Sequence, residues 1–96
     1  MVNTEQIYSI LRDIEGAVTE FELYKTIEFG EILEKYKILI KLRNDVLRNI
    51  NNIPGEEFKT IVLKLQESLL EYKIIIKENL GFETQPEEQE MRQLLN

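Results

Sequence analysis

The chain contains no cysteine and no histidine. Without cysteine it has no disulfide and no thiolate metal site to support a small fold. Without histidine it lacks the commonest general base, the commonest metal ligand and the usual switch near neutral pH. Tryptophan is also missing, and only two prolines and four glycines punctuate the sequence, so breaks between elements are few. Apolar runs such as Ile38 to Ile40 and Ile74 to Ile76 fall far short of the ~20 residues of a membrane-spanning helix. The opening residues, MVNTEQIYSI, show no basic stretch followed by a long apolar one, so no signal peptide is expected. These absences predict a cytoplasmic protein with no membrane partner.

Ninety-six residues make one domain, which at this size buries roughly 60–70% of the surface its unfolded chain exposes. Eighteen acids against twelve bases give a net charge of −6, which disfavours nucleic acid as a partner because phosphate neutralisation needs a basic surface. The charge is uneven. Residues 1–30 hold six acids and two bases, whereas residues 31–53 hold three acids and five bases. An acidic first segment beside a basic second one suits an antiparallel helix pair.

Asn3 reads as an N-cap with Gln6 three residues on, as in a capping box. Ile7, Ile10, Leu11, Ile14, Ala17, Val18 and Phe21 then recur every three or four residues and predict helix 1. Gly16 and Ala17 leave a thin spot, either a close approach of another backbone or a tolerated glycine. A break is expected within residues 27–31, with Gly30 as C-cap. The apolar phase is the same before and after it, so one continuous helix over residues 4–50, in a hairpin that dimerises, is the alternative. Helix 2 is expected over residues 31–50 with Ile32, Tyr36, Leu39, Ile40, Val46, Leu47 and Ile50 inward. NIPGEE marks a turn, with Pro54 at a first helical position. Helix 3 then runs to Leu80 with Phe58, Val62, Leu65, Leu69, Tyr72, Ile76 and Leu80 inward. Gly81 and Phe82 fit a Schellman cap. Met91, Leu94 and Leu95 give the tail one short apolar face.

No catalytic constellation is present: no glycine-rich phosphate loop occurs, and Ser9 and Ser68 have no histidine to activate them. Glu31 with Glu34 and Glu67 with Glu71 have the spacing of solvated helix faces rather than of a metal site. Arg43 lies within the apolar stripe of helix 2, where a guanidinium must reach solvent or be paired. Its expected partner is a carboxylate of helix 1 or 3, and the functional alternative is a partner protein's carboxylate. In helix 3, Leu63, Leu70 and Ile74 fall about 140–180° from Leu65 at 100° per residue. A helix apolar on two sides is usually covered on both. The covers considered are the tail helix, a second copy of the chain and another protein.

The expected fold is all-α: an antiparallel three-helix bundle over residues 1–82, with an acidic tail over 83–96 carrying a short amphipathic helix. The expected function is non-catalytic protein binding, as a small adaptor, chaperone or inhibitor. It needs no cofactor or metal, and its partner is another protein or the chain itself. The partner-binding candidates are Leu63, Leu70, Ile74, Arg43, Met91, Leu94 and Leu95. A structural homo-oligomer is one alternative. Another is an inhibitor that mimics nucleic acid, because Asp13 and Glu20, and likewise Glu15 and Glu22, recur at seven-residue spacing. In layout, though through no residue motif, the chain is similar to the small export chaperones of bacterial flagella and to bacteriocin immunity proteins. NIPGEE, in a chain without tryptophan, sets it apart from the Trp-x-Gly hairpins.

Overall fold

The computed structural model describes residues 3–96 and is all-α. Helix α1 spans Thr4–Thr19, α2 Phe29–Arg48, α3 Gly55–Asn79 and α4 Gln85–Leu95. The first three pack pairwise into the bundle, and α4 lies against α3. At about 1.5 Å per residue α3 is long enough to set the molecule's 40 Å axis.

Each helix end has an identifiable cause. Asn3 caps α1, its Oδ1 accepting the backbone N–H of Glu5 at 2.8 Å. After Thr19 the chain widens into a π-helical turn over Glu20–Tyr24, and Lys25 then adopts a left-handed conformation (φ 57°). The Glu20 carbonyl accepts the N–H of Lys25 and that of Thr26. The break therefore falls at residues 25–28, and the continuous-helix alternative does not hold. Gly30 is not the C-cap: it lies in the first turn of α2, and Lys25 holds the left-handed position instead. Pro54 is likewise one step outside α3, as its N-cap (φ −54°, ψ 139°). The end of α3 is a complete Schellman motif. Gly81 (φ 81°) donates to Glu78, and Phe82 donates to Lys77 at 2.8 Å. Phe82, the residue placed to pack back on the last turn, is nevertheless 65% exposed.

The core is built from Ile7, Leu11, Ile14, Ala17 and Val18 of α1, Ile32, Leu39, Leu42 and Val46 of α2, and Ile61, Leu65, Tyr72 and Ile75 of α3, with Ile53 closing the turn before α3. On α1 this is the face expected from periodicity. On α3 the buried face is rotated from the expected one. Ile61 and Ile75 are inside, Val62, Leu69 and Ile76 sit half-buried on its flank, and Leu80 is exposed. On α2, Leu42 is buried whereas Leu47 and Ile50 are exposed. Both helices carry more apolar residues than one face holds, so neighbouring helices select which side is covered.

Among the described residues, two polar contacts tie α1 to the other two helices of the bundle. Tyr72 is 1% exposed and donates its hydroxyl hydrogen to the carbonyl of Ile14, while its ring stacks on Tyr36 at 6.4 Å between centroids. Burial, then the charges of Glu71 and Asp13, push the phenol's pKa well above its usual value, so it remains a donor. Lys35 of α2 pairs with Asp13 of α1, joining the basic and acidic segments as their charge balance predicted. A β-carbon added at Gly16 would meet nothing within 4 Å, so no backbone makes a close approach there.

Candidate protein-binding cleft

Helices α2, α3 and α4 enclose an open cleft of about 610 Å³. Leu65, Leu69, Leu70 and Val62 of α3 form its floor, Leu47 of α2 one wall and Leu94 of α4 the other. Polar groups stand around the apolar centre: Arg43, Gln66, Lys73, Glu90 and Gln93, all exposed. Past Leu70, Lys73 and Glu90 the groove continues into a second hollow of about 500 Å³ that reaches Ile76 and Glu87. This volume lies within the roughly 300–1,000 Å³ of typical binding pockets, but the lining is more polar than theirs, with five of its eleven residues polar or charged.

The short helix α4 creates the cleft by folding back on α3. Its eleven residues are too few for a stable isolated helix, so packing must hold it. Met91 and Leu94 are half-buried, and Leu70 beneath α4 is only 9% exposed. At the start of α4 the Glu87 carboxylate is buried and paired with Lys77 of α3. That hydrogen bond, followed by the Glu87 backbone N–H and the charges of Lys77 and Lys73, lowers the Glu87 pKa against the opposing effect of burial. Its second oxygen, Oε2, has no hydrogen-bond partner among the described residues.

The structure brings three of the expected partner-binding residues, Arg43, Leu70 and Leu94, to this cleft. For Leu70 the cover is the chain's own tail. Ile74 is half-buried, and Leu63 (43% exposed) and Leu95 (64% exposed) line no part of the cleft. Arg43 does not make the expected intramolecular pair. Among the described residues it has no ion-pair partner, because the buried face of α2 is centred on Leu39, Leu42 and Val46 and leaves position 43 on the rim. Lys73, Gln66 and Gln93 were not anticipated. On a helical wheel they are ordinary polar positions, and only the docking of α4 gathers them.

Of the acids at seven-residue spacing, Asp13 is engaged by Lys35, whereas Glu15, Glu20 and Glu22 are exposed. Glu22 of the π turn and Glu15 of α1 lie near enough to Glu71 of α3 to raise its pKa. Burial is the larger cause of that rise, and Glu67 adds to it. Among the described residues, no group of three or more acids is arranged to hold a metal ion, and no helix is long and apolar enough to cross a membrane.

No protein-family model, curated protein or solved structure matches this chain.

Proposed function

We propose that the chain is a non-catalytic protein-binding module, an adaptor, chaperone or inhibitor, whose partner seats an amphipathic, acidic segment in the cleft between α2, α3 and α4. One observation carries this reading: the cleft has an apolar floor, and the two cations on its rim, Arg43 and Lys73, form no ion pair among the described residues, although Glu90 shares the rim and Lys73 lies near enough to Glu87 to act on its charge. Apolar side chains of a partner would cover Leu47, Leu69 and Leu94, while its carboxylates would meet Arg43 and Lys73. A bidentate carboxylate contact to a guanidinium adds orientation as well as energy.

The test uses exposed positions only. The double substitution Arg43→Glu with Leu47→Glu reverses the rim charge and places a carboxylate on the wall, away from the core. Affinity capture from the native source should recover a defined set of proteins with the unsubstituted chain and lose it with this variant, while the circular dichroism of the two stays the same. Capture that the double substitution leaves intact would remove the cleft from the binding surface. A chain that captures nothing and sediments as an oligomer would favour the homo-oligomer instead.

A further inference from the structure

A second surface lies at the end of the bundle where α1 gives way to its π turn and α3 terminates. The two segments meet around a small hollow of about 260 Å³, lined by Phe21, Glu22 and Lys25 on one side and Ile75, Glu78 and Asn79 on the other. Within three positions of these residues in the chain stand four of the most exposed large apolar side chains among the described residues: Leu23 (74%), Tyr24 (69%), Leu80 (57%) and Phe82 (65%). Local structure accounts for both pairs. The π turn carries Leu23 and Tyr24 beyond the apolar stripe of α1, and the Schellman turn closes without folding Phe82 onto α3.

Electrostatics selects the occupant. Residues 20–28 and 78–83 contain five exposed acids, Glu20, Glu22, Glu28, Glu78 and Glu83, and one base, Lys25. The C-terminal ends of α1 and α3 both carry partial negative charge at this end. The N-terminus of α2 opposes them with partial positive charge, but Glu28 and Glu31 stand beside it. We propose that this end of the bundle binds an apolar, basic polypeptide segment of another protein. A second copy of the chain would bring the same acids face to face, and an anionic lipid surface would be repelled. This inference does not rest on the cleft, whose rim has the opposite charge. With both surfaces filled, the chain would link an acidic segment to a basic one.

Nuclear magnetic resonance on the isotope-labelled full chain tests this. The probe is a synthetic amphipathic helix of leucine and lysine alone, with its leucine and glutamate counterpart as control. The expected result is amide shifts confined to residues 20–28 and 75–83 with the lysine peptide and none with the glutamate peptide. Leu23→Ser with Phe82→Ser, which keeps every charge, should weaken binding by about tenfold or more. Arg43→Glu with Leu47→Glu should leave it unchanged, so failure here and failure of the cleft reading are separable. Binding that survives the Leu23 and Phe82 substitutions would be charge attraction alone and would overturn the proposal. Shifts elsewhere, or equal binding of the glutamate peptide, would also overturn it. So would self-association, or binding to phosphatidylserine vesicles, abolished by the same substitutions, since each would give the surface a different occupant.

Discussion

Single residues show how few polar contacts the core depends on. The Tyr72 hydroxyl reaches the Ile14 carbonyl across the α1–α3 interface, in a buried setting. Tyr72→Phe keeps the ring and its stacking on Tyr36 but removes the donor, so it should cost about 0.5–1.5 kcal/mol in urea denaturation. Gly16 should behave oppositely. It lies inside α1 with open space where a β-carbon would go. Gly16→Ala should therefore stabilise the chain by about 0.5–1 kcal/mol through helix propensity and lower unfolded-state entropy, measured by the same denaturation. The residue types around Gly16 allow two readings, and the empty space beside it settles them. The same limit applies to Arg43: its place on the apolar stripe is visible in the sequence, but whether a carboxylate lies within reach depends on other helices.

Among the elements, α3 is where pattern and packing diverge. Its expected inner stripe held Val62 and Leu80 and left out Ile61 and Ile75, whereas Ile61 is 0% and Leu80 57% exposed. Ile61→Ala should cost about 2–5 kcal/mol, as for a large-to-small change in a closed core, and Leu80→Ala should fall within about 0.5 kcal/mol of no change. Chemical denaturation of the pair decides which face is inside. Helix α1 was legible because its apolar residues occupy one side only, and the turn around Pro54 because its chemistry is local. The break after α1 was legible as a break, but it falls a few residues earlier than expected and takes another form. No glycine occupies the left-handed position, so nothing in the residue types marked Lys25 as the stop.

For the whole molecule, two carboxylates whose pKa values shift in opposite directions shape the pH response. Burial, then Glu22, Glu15 and Glu67, hold the Glu71 pKa above the usual value. The folded chain binds that proton more tightly than the unfolded chain, so stability falls as pH rises from the unfolded value through the raised folded one. Glu71→Gln should therefore raise the urea midpoint near pH 7 and leave it unchanged near pH 3. Glu87 acts in reverse. Its Lys77 contact lowers its pKa, so its contribution is present above the unfolded value and is lost as pH falls through the lowered one. Sequence by itself determined the helical class, the turn at Pro54, the Schellman cap at Gly81, the acidic balance and the opposed charges of the first two segments. Periodicity, turn chemistry and charge are properties of short stretches of chain. Only the tertiary structure decided which side of α3 is core, where α4 docks, which side chains border the cleft, and that the apolar residues of the π turn and of the α3 terminus share one end. A helix apolar on several sides has several comparable ways to bury itself, and the faces offered by its neighbours select among them.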